Sequence, residues 1–85
     1  MRYYRNKSEI TAQILDAANG GATKTKIMYK AYLSYAQLKE YLSVLSENDL
    51  IVYVLGENIY KTTEKGVKYL RTFNEMGKLV EPTTR

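Results

Sequence analysis

The residues best suited to chemistry in this chain are polar side chains on the outward face of one predicted helix. Ser34-Tyr35-Ala36-Gln37 is a capping-box pattern, in which a Ser and a Gln three residues later each satisfy the other's free backbone amide. A helix starting there presents five side chains of its first turns away from the core: Ser34, Tyr35, Ala36, Lys39 and Ser43. Ser and Lys can donate to base acceptors, and Ala can touch a thymine methyl group. These types at this spacing suit a helix that reads the major groove of duplex DNA.

A second set of residues suits the binding of phosphate groups. Its members lie on the preceding predicted helix, on a strand and in the N-terminal arm: Thr23, Lys24, Thr25, Lys26, Lys30, Lys61, Arg2 and Arg5. Lysines, hydroxyls and the free amides of a helix N-terminus all bind phosphate oxygens. Simpler explanations stay open, because lysines on a short helix are usually just solvated and Ser34 is already needed as a cap. Glu40 and Glu47 lie on the outward face of the groove helix, which restricts DNA contact to its first two turns.

Composition excludes several classes of function. The 85 residues include no Cys and no His, so the usual soft nucleophile and the usual general base are both missing. A structural zinc site needs the same residue types. We therefore expect no enzymatic activity, no metal site and no cofactor. No apolar run approaches the roughly 20 residues that cross a bilayer, and we expect a cytoplasmic, nucleoid-associated protein with no membrane partner.

The positive charge is confined to the first part of the chain. Residues 1–33 carry six basic and two acidic side chains, whereas residues 34–85 carry seven of each sign. This asymmetry favours an anionic partner approached from one side. On charge alone, ordinary solubilising charge explains it equally well.

Four helices and a hairpin would position these residues. The predicted elements are a first helix capped by Ser8 and ending near Asn19, a second from Lys24 to about Ala31, a third from Tyr35 to about Glu47, strands at Leu50 to Leu55 and Ile59 to Thr62, and a last helix capped by Thr63 and ended by Pro82. This order predicts an α+β fold, a winged helix-turn-helix with three helices, a two-stranded wing hairpin and a C-terminal helix. The expected divisions are a basic N-terminal arm at 1–7, the winged helix-turn-helix domain at 8–73, and a C-terminal helix extension and tail at 74–85.

The last helix carries more apolar residues than one packing surface needs. Tyr69, Phe73, Met76 and Val80 are spaced four, three and four apart, as in a helix–helix seam. A domain this small gains stability by oligomerising, so we predict a homodimer with these four residues at its interface. The alternative is that a small core simply wraps around the helix.

The tyrosines fall into two predicted groups. Four are expected in the core or an interface: Tyr41, Tyr53, Tyr60 and Tyr69. Three others surround the turn between the second and third helices and are expected to pack those helices together: Tyr29, Tyr32 and Tyr35.

Three separated segments resemble one family of proteins. They are Arg5 to Ile10, Gly21 to Leu42 and Tyr60 to Gly66. In this order they resemble small archaeal winged-helix DNA-binding proteins, a family that includes the ten-kilodalton Sulfolobus chromatin protein and archaeal transcriptional regulators. The resemblance implies a winged helix, binding to double-stranded DNA, and, as in the chromatin-type members, a homodimer formed through the last helix.

The residues and the resemblance together lead to one functional prediction. We expect sequence-specific or weakly specific binding of double-stranded DNA by a transcriptional regulator that acts as a homodimer. Two alternatives stay open: a nucleoid-associated protein that coats DNA, and a winged helix used for protein–protein interaction.

Overall fold

The computed structural model describes residues 5–80, except for the side chains of Lys78 and Val80. Its elements in chain order are α1 (Lys7–Ala18), α2 (Lys24–Ala31), α3 (Tyr35–Glu47), β1 (Ile51–Val54), β2 (Ile59–Thr62) and α4 (Glu64–Val80). The predicted α+β class and the order of elements are confirmed. This is the winged helix-turn-helix arrangement, with α2 and α3 as the helix pair and β1–β2 as the wing.

The start of α1 differs from the prediction. Ser8 was the expected cap, but the cap is Asn6, whose side chain accepts the amide of Glu9 at 2.8 Å. The Glu9 carboxylate in turn accepts the amide of Asn6 at 2.9 Å. Because this reciprocal pair satisfies two free amides, the helix begins at Lys7 and not after Ser8.

Helices α2 and α3 match the prediction at both ends. Their starts are determined by local caps. The Thr23 hydroxyl accepts the amide of Lys26 at 3.2 Å. Ser34 and Gln37 form the predicted capping box, with bonds of 3.2 and 3.0 Å. Between the helices, Tyr32 adopts a left-handed conformation with φ of 54° and closes α2. No pattern in the sequence predicted a tyrosine in that conformation.

The wing is a two-stranded antiparallel sheet with one short addition. Ile51 pairs with Thr62 and Tyr53 with Tyr60, and the hairpin turn has positive φ at Gly56 and Asn58. On the other edge of β2, Ala22 exchanges two backbone hydrogen bonds with Tyr60, of 2.9 and 2.8 Å. This addition involves a single residue, so it has no periodic signal in the sequence.

The core lies where the three N-terminal helices meet the start of the wing. Its fully buried large side chains are Ile14, Leu15, Ile27, Leu38 and Ile51. On the inward side of α3, Leu38, Leu42 and Leu45 are buried in this core, and Tyr41 packs against it. Thr62 is a buried polar residue of this region, and its hydroxyl donates to the carbonyl oxygen of Leu15 at 2.6 Å.

Several tyrosines lie in other places than predicted. Tyr29 and Tyr32 are 79% and 80% exposed, so the prediction that they pack α2 against α3 is wrong. Tyr35 is also exposed, but its ring lies next to Lys24 of α2. Tyr29 follows Ile27 by two positions, about 200° around the helix, and therefore points away from the core that Ile27 enters. Tyr53 is exposed on the wing, whereas Tyr41, Tyr60 and Tyr69 pack against the core as predicted.

Candidate nucleic-acid interface

The outward face of α3 presents the predicted groove residues to solvent. Ala36, Lys39 and Ser43 are all exposed, and they lie on the side of α3 opposite its buried leucines. Ser34 is exposed too, but its hydroxyl already accepts the amide of Gln37 as the helix cap. The chemically free part of this face is therefore Ala36, Lys39 and Ser43.

A shallow concavity lies between α2, α3 and β2. Seven side chains line it: Lys24, Tyr35, Lys39, Leu42, Ser43, Ser46 and Tyr60. The Lys24 Nζ lies 5.2 Å from the centroid of the Tyr35 ring, within the range of a cation–π contact. Four of the predicted residues, from two helices, thus share one open surface with Tyr60 of the wing. We call the side of α3 that faces this concavity its wing side.

The three lysines of α2 do not form one patch. At about 100° per residue, Lys26 and Lys30 lie about 200° and 240° around the helix from Lys24. Lys24 is half-buried beside Tyr35, whereas Lys26 and Lys30 are exposed. Only Lys24 is brought together with the residues of α3. Thr25 is exposed, and the Thr23 hydroxyl serves as the cap of α2.

The acidic residue Glu40 lies on the opposite side of α3 from the concavity. It lines a separate groove with Lys7 and Thr11 of α1 and with Val44. The wing side of α3 therefore carries Lys39, and the side facing α1 carries Glu40. The sequence alone placed Glu40 against phosphates, and the structure shows that it does not share the concavity with Lys24 and Lys39.

Lys61 lies apart from the other predicted residues. Successive strand residues point to opposite faces of a sheet, and Tyr60 lines the concavity. Lys61, which pairs with Val52, is therefore on the other face of the hairpin. Arg2 lies outside the described residues.

Arg5 is held against α1 and the C-terminal end of α2. Its Nη1 atom donates to Gln13 Oε1 and to the carbonyl oxygen of Ala31, and its Nη2 atom donates to the carbonyl oxygen of Tyr32 at 2.9 Å. Sequence reasoning placed Arg5 in a phosphate-binding arm. It missed these contacts because they join residues 26 and 27 positions apart.

The predicted dimer seam divides into two parts. Tyr69 packs on its own chain, and its hydroxyl donates to the Ser8 carbonyl oxygen at 3.1 Å. Phe73 stacks on Tyr69 with ring centroids 6.3 Å apart and lines a groove between α1 and α4. Met76, by contrast, is 53% exposed, and Leu79, three residues further along α4, is 84% exposed. The side chain of Val80 lies outside the described residues.

Two general features of the described chain bear on the kind of site. Within residues 5–80, no three His, Cys, Asp or Glu side chains gather in a way that could hold a metal ion. Over the same range, no helix has the length and apolar character needed to cross a bilayer.

Comparison with known proteins gives three findings. A model of winged helix-turn-helix domains matches residues 4–81. The uncharacterized protein MJ0290 of Methanocaldococcus jannaschii is 35% identical over 79 residues, which are 92% of this chain, and the chain spans only 36% of that relative's length. The crystal structure of Sso10a-2, a DNA-binding protein from Sulfolobus solfataricus, is similar with a TM-score of 0.82 at 26% identity, covering 91% of this chain and 83% of that one.

Proposed function

Because the chain belongs to the winged helix-turn-helix family, we propose that it binds double-stranded DNA and regulates transcription as a homodimer. The observation that carries the proposal is the concavity in which Lys24, Tyr35 and Lys39 meet the wing. It gives the groove helix a cationic flank next to a strand hairpin. The similar structure from Sulfolobus solfataricus is that of a DNA-binding protein, which supports the same function.

The proposed complex places the N-terminal half of α3 in the major groove. Ala36, Lys39 and Ser43 would face base edges, since they are exposed and their side chains are free for such contacts. Lys24 and the first amides of α2, with Thr25, would bind the phosphates on the wing side. Glu47, the last residue of α3, would keep that end of the helix away from the phosphates, and Glu40 faces α1 on the side away from the concavity.

The remaining predicted contacts would lie at the edges of this footprint. Lys26 and Lys30 would contact phosphates on the far side of α2. Lys61 of the wing and Arg2 of the N-terminal arm would contact the DNA backbone beyond those two segments. Each such contact releases counterions and adds to the salt dependence of binding without adding sequence preference.

The homodimer would form through the C-terminal part of α4. Met76 and Leu79 are large apolar side chains left exposed there, and a second copy would bury them. A two-fold dimer places two groove helices on two half-sites about one helical turn of DNA apart. Acting on chromosomal DNA would place the protein at the nucleoid in the cytoplasm.

The test is the binding of a random-sequence duplex, followed by fluorescence anisotropy at several salt concentrations. We expect log K to fall linearly with log salt, with each neutralised phosphate contributing about −0.9 to the slope. Lys39→Ala and Lys24→Ala should weaken binding about three- to tenfold each. Lys68→Ala, which removes an exposed lysine of α4, is the matched control and should leave affinity unchanged.

The outcomes separate the three functions that the sequence left open. If the wild-type protein shows no binding even at low salt, the proposed function is wrong and a winged helix for protein–protein interaction becomes the better explanation. Selection from a random pool then decides between the DNA-binding alternatives. A recovered consensus site supports a regulator, and equal binding to all sequences supports a protein that coats DNA.

A further inference from the structure

The guanidinium of Arg5 bridges the start of the described chain and the end of α2. One of its nitrogens donates to Gln13 of α1 and to the carbonyl of Ala31, the last residue of α2. Another donates to the carbonyl of Tyr32 at 2.9 Å. Carbonyls at the C-terminus of a helix lack partners within the helix and carry its negative partial charge. Arg5 therefore supplies both the donors and the positive charge that this end needs.

The segment that Arg5 holds is the turn of the helix-turn-helix. Tyr32 has a φ of 54° there, a left-handed conformation that costs energy for any residue with a side chain. The Leu33 amide bonds back to the Met28 carbonyl at 3.1 Å, and Ser34 then caps α3. The direction in which α3 leaves this turn is thus set within two residues of the carbonyls that Arg5 binds.

We infer that Arg5 is a positioning residue for DNA binding: it fixes the turn between α2 and α3 and with it the angle at which α3 meets the groove. This inference rests on the proposed function. It also assigns Arg5 a different role from the phosphate contact that its position in a basic arm predicts. The carbonyl oxygens of Ala31 and Tyr32 already accept hydrogen bonds from the guanidinium. A phosphate contact would need those donors to be free.

The chemistry of the contact distinguishes arginine from lysine. A guanidinium holds several N–H donors in a rigid planar fork, so it can bond to two carbonyls and an amide oxygen at once. A lysine ammonium keeps the charge but has no such fork. A phosphate contact tolerates this replacement because lysine also binds phosphate as a point charge, whereas a contact that fixes a turn does not.

The experiment compares Arg5→Lys and Arg5→Ala with the wild-type protein in the same anisotropy titration. We expect both variants to lose about tenfold in affinity, equivalent to about 1.4 kcal/mol, with the slope of log K against log salt unchanged. Lys30→Ala, which removes a proposed phosphate contact, is the control and should reduce the slope by about 0.9. Circular dichroism melts identify a temperature at which every variant is fully folded, and the titrations are done there.

A second measurement examines the turn without DNA. Amide hydrogen exchange at Leu33, whose N–H bonds to Met28, should become faster in Arg5→Lys, while exchange at Leu42 in the middle of α3 stays as in the wild type. This readout keeps the inference testable if Arg5→Ala fails to fold.

Three results would overturn the inference. If Arg5→Lys retains wild-type affinity while Arg5→Ala loses about 0.9 in slope, Arg5 contacts phosphate directly. If both variants bind DNA as the wild type does, the contact serves stability alone. Unchanged exchange at Leu33 would mean that Arg5 does not hold the turn. Absence of DNA binding by the wild-type protein is a separate result, which refutes the proposed function itself.

Discussion

Gly66 lies where the first turn of α4 touches Leu50 and the end of β2, and an added methyl group there should push the helix away from them. A Cβ built at Gly66 would lie 2.3 Å from the carbonyl oxygen of Leu50 and 2.5 Å from Thr62 Cγ2. Since real Cβ atoms do not approach closer than 3.0 Å, α4 would have to move by at least 0.7 Å, the difference between 3.0 and 2.3 Å. The obstructing oxygen belongs to the backbone, so a side-chain rotation cannot relieve the clash.

The movement would also strain hydrogen bonds that join the start of α4 to the segment before β1. The Thr63 amide donates to the Leu50 carbonyl at 3.1 Å, and the Thr63 hydroxyl donates to the Asp49 carbonyl at 2.6 Å. Overpacking costs about 1–3 kcal/mol, and each weakened bond costs about 0.5–1.5 kcal/mol. Against this, alanine gains about 1 kcal/mol of helix propensity over glycine. Together these contributions predict that Gly66→Ala lowers the free energy of unfolding by about 1–5 kcal/mol.

Gly77 provides a matched control on the same helix. A Cβ there would meet nothing within 4 Å, so Gly77→Ala should gain the helix propensity alone, about 0.5–1 kcal/mol. Urea unfolding followed by circular dichroism measures the stability of both variants. In thermal melts, the Tm of Gly66→Ala should be lower than that of the wild type by roughly 5–40 °C. A Gly66→Ala protein as stable as Gly77→Ala would show that close contact with Leu50 does not determine how α4 docks.

The remaining predictions concern the turn and the dimer. Tyr32→Gly should stabilise the protein by about 0.5–1 kcal/mol, because relief of the left-handed conformation exceeds the entropy cost of glycine and the exposed ring loses few contacts; Tyr29→Gly, inside α2, is the control and should destabilise it in the same urea titration. Met76→Asp should produce monomers in analytical ultracentrifugation, whereas Arg71→Asp, on another side of α4, should leave the wild-type mass. A dimer that persists in Met76→Asp would contradict the proposed interface.

The elements that could be predicted from the sequence are those with local signals. Helices α2 and α3 begin where Thr23 and Ser34 accept amides three residues later, and such caps are visible in a few consecutive residues. The same signal existed for α1, since Asn6 and Glu9 have the spacing of a capping box. The prediction of Ser8 as the cap is wrong, and it places the helix start two residues too late.

The features that could not be predicted depend on contacts between distant parts of the chain. Ala22 pairs with Tyr60, and Arg5 bonds to Ala31 and Tyr32. No sequence pattern around Ala22 or Arg5 indicates which distant residues they contact. The exposure of Tyr29 follows from the period of the α-helix, which turns this side chain away from the core. The prediction that Tyr29 packs between helices rested instead on its being an aromatic residue beside a turn. Hydrophobic type alone was therefore a poorer guide than position around the helix.

The candidate site shows the same distinction between position in the chain and position in space. The first 33 positions contain six basic and only two acidic residues. A count of this kind treats Lys24, Lys26 and Lys30 as equivalent. In the fold, Lys24 lies with Lys39 of α3, and the other two face away from it. A surface built from one lysine on each of two helices depends on the angle between those helices. If Arg5 fixes that angle, as inferred from its bonds to Ala31 and Tyr32, the strength of DNA binding should depend on Arg5 even without a phosphate contact from its side chain.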